Sequence, residues 1–286
     1  MRAAALAAIG GLISATLAAA PIAVPWGRPG DNSDCQGPAV FAPAALYNKA
    51  AMAWLPFSPF GRPETGWALY APAIGREVGS ACPADSAGFA SAVAGWQKAH
   101  DLTANGALDE TSFMAMKALW QARRPFVGIR EAGICPDPPP AAALEALKPD
   151  EVLGDKPVEL RADALAALRR MVADARREDP TIAADPQLLT VFSGYRDPAS
   201  DAARCEQEQN CQGLVRAECS SHRTGLAVDL MVGAAPGFVA DSSDDANRRY
   251  QSQSPAYRWL VANAARYGFA NYVFEPWHWE WTGEAR

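Results

Sequence analysis

The sequence has no CxxC pair, no dense run of Lys or Arg, and only three histidines in 286 residues. Each shortage removes a class of function. Without a CxxC pair, a thiolate zinc site or a thioredoxin-like redox motif lacks its spacing. With no basic run, a formal charge of -6 and a pI of about 5.2, the chain is a poor binder of polyanions, and no nucleic-acid partner is expected. Charge is also scarce at the start: Arg2 is the only charged side chain before Arg28. Residues 3–20 are mostly apolar and Ala-rich, and Ala18-Ala19-Ala20 offers the small residues a signal peptidase requires. Residues 1–20 are therefore expected to be a cleaved export signal, which places the mature chain in the periplasm or outside the cell. The apolar run reaches only about the lower length limit for a membrane helix, and Gly10-Gly11 weakens it, so no stable span is expected after cleavage. No Cys follows the run directly, so a lipid-anchored form is not indicated.

What is present is a globular composition, 49% hydrophobic and 20% charged, enough for one sizeable domain and a small one. Six cysteines fit an oxidising compartment. Cys82 and Cys135 flank a compact segment and are the expected bridge. Cys205, Cys211 and Cys219 bracket a polar loop that a bridge would stiffen. Residues 21–83 are rich in Pro, Gly, Ala and aromatics without sustained periodicity and read as irregular structure wrapped on another domain. Residues 84–135 read as a small helical module. Phe89, Val93 and Trp96 recur at helical spacing, Ala104-Asn105-Gly106 makes a turn, and Asp109 caps a second helix carrying Phe113, Met116, Leu119 and Trp120. His100 falls on its surface or in a turn. Residues 136–157 begin with Pro136, Pro138, Pro139 and Pro140 and read as a linker.

Residues 158–286 read as α+β. A helix over 160–178 turns Leu165, Leu168, Met171 and Val172 inward. Leu188 to Phe192 make a short strand ending in Ser193-Gly194-Tyr195-Arg196, and Gly225 to Val232 a second. Ser254 caps a helix with Pro255 in its first turn, and Gly268 stops it. Asn271–Phe274 and Trp277–Trp281 are the closing strands. The pattern predicts an antiparallel sheet with helices covering one face.

Two of the three histidines have distinctive contexts. Asp229 lies between Val228 and Leu230, in a stretch otherwise fit for a core, and His278 lies between Trp277 and Trp279. A buried carboxylate is costly unless a cation or strong donors compensate it. Imidazole nitrogen and carboxylate oxygen are both good Zn²⁺ donors, and a catalytic zinc site uses three protein ligands and a water. A metal bound by His222, Asp229 and His278 would account for both anomalies. Two carboxylates compete for the role of general base: Glu275, three residues before His278, and Glu280, two residues after it on the same strand face. Glu280 also suits a place behind a metal-bound imidazole. Trp277, Trp279 and Trp281 read as core and cleft wall.

Two resemblances join these readings. Trp96-Gln97, Leu102, Gly106 and Thr111 resemble the small three-helix peptidoglycan-binding module, although the same apolar positions would pack a helical pair without any ligand. The pattern Ser-x-His-x-x-Gly-x-Ala-x-Asp from Ser220 to Asp229, the later Glu-x-x-His of Glu275 and His278, and Ser193-Gly194-Tyr195-Arg196 resemble the VanY-type D-alanyl-D-alanine carboxypeptidases. These belong to the zinc peptidases that share a fold with the hedgehog signalling domain. The resemblance implies a zinc ion on His222, Asp229 and His278, Glu275 as general base, and Arg196 gripping a substrate carboxylate or the oxyanion. Ser220 is expected to assist as a hydrogen-bond donor. The resemblance implies release of the terminal D-alanine from a peptidoglycan stem peptide; the exported enzyme is expected to be a monomer. An endopeptidase of the same metal-site group and a non-catalytic wall-binding protein are the alternatives.

Overall fold

The computed structural model describes residues 35–132, 135–207, 209 and 220–283. The expected export signal and the loop cysteines Cys211 and Cys219 lie outside the described residues.

The N-terminal domain is helical. Strand-poor and Pro-bearing, it opens with α1 (Ala42–Trp54), a two-residue hairpin of β1 (Pro56–Phe57) and β2 (Glu64–Thr65), and α2 (Ala71–Val78). Over the described residues 35–83 this corrects the expectation of an irregular segment across 21–83. Pro43 and Pro72 sit in the first turns of α1 and α2, where a missing N–H costs nothing and the fixed φ favours the helix. α3 (Ala87–Ala99) and α4 (Glu110–Ala122) follow as expected, each opened by a side-chain cap: Ser86 accepts from the Phe89 N–H, and Asp109 from that of Ser112. His100 ends α3 and stacks on Trp96. α5 (Pro125–Glu131) adds a fifth, short helix. One core holds Ala51, Phe57, Trp67 and Tyr70 together with Phe89, Val93, Phe113, Met116 and Trp120, so the first segment completes the helical module and does not merely wrap it. Cys35 pairs with Cys82, which overturns the Cys82–Cys135 assignment; Cys135 and Cys205 are also disulfide-bonded.

The segment over 136–157 is not a linker. β3 (Leu144–Ala146) lies within it and pairs antiparallel with β4 (Glu159–Arg161), tying the segment to the C-terminal domain. Then come α6 (Ala162–Glu178), α7 (Pro180–Ala184), β5 (Val191–Ser193), α8 (Pro198–Gln207), β6 (Ala227–Leu230), α9 (Asp245–Gln253), α10 (Pro255–Asn263), β7 (Phe269–Asn271) and β8 (His278–Trp281). The last four strands form one antiparallel sheet in the order β5-β6-β8-β7.

Alternation along β6 and β8 divides the sheet into two faces. Val228, Leu230, Trp277 and Trp279 enter a core with Leu165, Leu168 and Met171 of α6 and Tyr257 and Leu260 of α10. Ala227, Asp229, His278 and Glu280 take the opposite face. The closing strands differ from expectation in register. Residues 272–277 form a turn, and Val273 is buried in the core of the N-terminal domain, so its apolar character does not mark a strand.

Candidate metal centre

Strand pairing builds the centre. Asp229 and His278 are direct cross-strand partners in β6 and β8, so their side chains rise from one face side by side. His222 enters from a 3₁₀ turn over Ser221–Thr224, which Gly225 ends at φ 68, a left-handed conformation that glycine takes without strain. His278 Nδ1 lies 2.8 Å from Asp229 Oδ1, and His222 Nε2 lies 3.2 Å from Asp229 Oδ2. One ligand atom from each of the three residues falls within 4.8 Å of the others, and all three residues are buried.

The outer nitrogens are held as well. The Gly194 carbonyl lies 2.7 Å from His222 Nδ1 and fixes that nitrogen as the donor, leaving Nε2 with its lone pair toward the cluster. A side chain at Gly194 would collide with the Glu159 carbonyl at 2.5 Å. Behind His278, Nε2 lies 3.1 Å from Ser221 Oγ and 3.3 Å from Glu280 Oε1. A carboxylate behind a ligating imidazole is a recurrent feature of zinc sites. Glu280 thus stands behind His278, with its carboxylate also engaged by Arg124 and the Phe126 N–H.

Charge balance supports the same picture. Burial pushes Asp229 up, but the charges and hydrogen bonds of His222 and His278 outweigh it and hold the carboxyl well below the ordinary range. Burial pulls His278 down, yet hydrogen bonding and charge from Asp229 and Glu280 carry it up to about 9 without a metal. Glu280 is brought down to about 2 against its burial by the charge of Arg124, by His278, and by the Phe126 N–H. Two imidazoles and one carboxylate converging in a buried pocket, with both distal nitrogens engaged, fit a zinc ion in donor type and number.

Arg196 and Ser220 lie beside the cluster. The Arg196 N–H donates to the His222 carbonyl at 3.2 Å. Its guanidinium reaches Ser193 Oγ at 3.2 Å, Asp201 Oδ1 at 3.3 Å and Ser220 Oγ at 3.5 Å. Ser220 Oγ donates to Asp201 at 2.9 Å. Glu275 sits half-buried in the turn before β8, where the His278 N–H donates to the Glu275 carbonyl at 2.9 Å. Pro276 follows it, as the sequence requires for a bend between the two residues.

Sequence reasoning missed Asp201, Ser221 and Arg124. Asp201 is a buried acid at the start of α8 that also faces Arg223, and its spacing from Arg196 carries no recognisable pattern. Ser221 stands at an unfixed position of the motif. Arg124 is 156 residues from Glu280, beyond the reach of any local signal.

Comparison with known proteins decides the affiliation. Residues 157–284 match the family model VanY, D-alanyl-D-alanine carboxypeptidase. The C-terminal domain belongs to the VanY family. The match begins just before β4, leaving β3 outside it, and runs through β8, so the VanY domain contains the whole His222, Asp229 and His278 cluster. Among solved structures, the chain is similar to the LdcB LD-carboxypeptidase, described with the molecular basis of peptidoglycan recognition. That similarity has 23% identity and a TM-score of 0.36, covering 50% of this chain and 68% of the other. No curated protein matches the chain.

Proposed function

We propose that the protein is an exported zinc peptidase that hydrolyses the terminal D-Ala-D-Ala bond of peptidoglycan stem peptides. One observation carries the reading: two buried imidazoles and a buried carboxylate converge within 4.8 Å on the face of a VanY-family sheet opposite its apolar core. His222 Nε2, Asp229 and His278 Nδ1 would hold the ion. Zinc so bound supplies Lewis acidity, polarising a peptide carbonyl and lowering the pKa of water toward ~7.

The remaining steps fall to the chain's own residues. Glu275 accepts the proton of the attacking water and returns it to the departing amine, as a half-buried carboxylate one turn from His278 can do. Arg196 presents a planar, permanently charged fork to the substrate's terminal carboxylate, and Ser220 adds a donor beside it. Asp201 keeps that fork aimed by holding both Arg196 and Ser220. The disulfide-bonded Cys35 and Cys82 suit an oxidising compartment, which supports export.

The test is incubation of the zinc-loaded chain with a defined stem pentapeptide ending in D-Ala-D-Ala, with products resolved by mass. Loss of one alanine from the C-terminus is the expected result. Internal cleavage, or no dependence on a free C-terminus, would replace this reading with an endopeptidase.

A further inference from the structure

The metal cluster is braced from the other domain. Glu280 Oε1 accepts from Arg124 Nε at 2.9 Å and from Arg124 Nη2 at 2.6 Å, and Glu280 Oε2 accepts from the Phe126 N–H at 3.0 Å. Arg124 and Phe126 lie at the start of α5, in the N-terminal domain. The two side chains are 8% and 2% exposed, so the pair is shielded from water. The guanidinium is itself fixed. Its Nη1 donates to Gln121 at 3.1 Å, and its centre lies 4.1 Å from the Tyr272 ring, which meets His278 edge-on at 6.2 Å.

We propose that Arg124 is a positioning residue for the metal ligand His278, acting through Glu280, so that the N-terminal helical domain completes the metal site. The proposal rests on the reading of His222, Asp229 and His278 as metal ligands. An imidazole keeps its ligating nitrogen aimed when its other nitrogen is held by a fixed acceptor. Glu280 is that acceptor, and a buried carboxylate keeps a fixed place only with a partner of opposite charge and matched geometry. The Arg124 guanidinium supplies both, with Nε and Nη2 converging on Oε1 while the Phe126 N–H holds Oε2. The same domain also grips the turn that carries Glu275. Val273 is packed in its aromatic core, and Phe60 meets both Tyr272 and Phe274. Buried Arg248 donates to the Phe274 carbonyl at 2.8 Å while Tyr70 and Glu64 of the N-terminal domain hold its other nitrogens.

The experiment strips the full chain of metal and titrates zinc against a chromophoric chelator of known affinity. Circular dichroism of the metal-free proteins checks folding. Arg124→Gln is expected to raise the zinc Kd by about ten-fold or more, the usual consequence of losing such a support. Arg124→Lys keeps the charge without the fork and should recover only part of the affinity. Arg123→Ala, one residue away and paired with Glu77, should bind zinc as the wild type does. Because Arg124 acts through Glu280, its effect should vanish in a Glu280→Gln background. Wild-type affinity in Arg124→Gln, or full additivity with Glu280→Gln, would overturn the proposal. If Arg124→Gln does not fold, Arg124→Lys decides: weaker zinc binding supports the proposal and unchanged binding overturns it. A wild-type chain that binds no zinc would overturn the metal reading itself, and the proposal with it.

Discussion

Both domains bury polar side chains, but they use them differently. In the N-terminal domain, Asn48 donates to the Gly106 carbonyl at 2.9 Å and accepts from the Leu108 N–H at 2.7 Å. Gln97 donates to the Ala107 carbonyl and to Ser112, both at 2.9 Å, and accepts from the Gly106 N–H at 2.8 Å. These groups close the loop between α3 and α4, and their hydrogen bonds are satisfied by backbone and neighbouring side chains. In the C-terminal domain, His222, Asp229 and His278 turn their inner atoms toward one another, and only their outer atoms meet supporting groups. Burial of a polar residue therefore does not mark a site. Convergence of ligand atoms with the opposite ends anchored does. Gln97 and Gly106, two of the residues that resemble a peptidoglycan-binding module, have a complete architectural role of this first kind.

The comparison can be broken by substitution. The largest effect is expected for His222→Ala and Asp229→Ala: loss of bound zinc and of peptidase activity together, with far-ultraviolet circular dichroism unchanged. Retained stoichiometric zinc in either variant would remove that residue from the ligand set. Glu275→Gln should keep the metal and lower kcat by roughly 10²–10⁴-fold, the range for loss of a general acid-base group. Near-normal kcat would return the role to another residue. Arg196→Ala should also keep the metal, with its loss falling on peptides that have a free C-terminal carboxylate and sparing amidated ones. Equal loss on both would mean that Arg196 does not read the carboxylate. Asn48→Ala should act on stability alone. It leaves a buried N–H and a buried carbonyl unpaired, each costing about 1–3 kcal/mol, and denaturant midpoints should fall while kcat of the folded enzyme holds.

A finer difference appears with pH. In the metal-free protein, His278 is raised from 6.5 to about 9, so its imidazolium contributes stability in full below 6.5 and loses it as pH rises through about 9. The urea midpoint of the metal-free protein should drift downward over that window. Zinc removes this drift, because the ion replaces the proton on the ligating nitrogen. A flat profile without metal would show that His278 is not raised. At the acid end the sign reverses: Glu280, lowered from 4.5 to about 2, loses its contribution as pH falls through that range.

Much of the C-terminal domain is legible in the sequence because its signals are local. The Ser254 cap and the Gly268 stop are one-residue signatures, and α6 shows its apolar stripe through Leu165, Leu168 and Met171. Asp229 and His278 are legible as anomalies in a strand-like context, whereas His222, in a 3₁₀ turn, is legible only through the spacing of its motif. What escapes is long-range. Pro43 and Pro72 read as breakers, yet they start helices, since a proline in the first turn and a proline in a loop look alike without the partner surface. β3 has three residues and an exposed outer face, so nothing in Leu144–Ala146 announces a strand until β4 pairs with it. Val273 reads as part of a sheet because its apolar side chain belongs to a core built from residues some 150–220 positions earlier. Arg124 is invisible for the same reason: its partner is fixed by how two domains meet.

The most direct test of the account is the zinc content of the purified wild-type chain compared with that of His278→Ala, by elemental analysis on folded protein. One zinc per wild-type chain, and none retained by the variant after dialysis, is the predicted result. A wild-type chain without zinc after reconstitution, or a variant that holds it as firmly, would contradict the assignment of His222, Asp229 and His278 as a catalytic metal site.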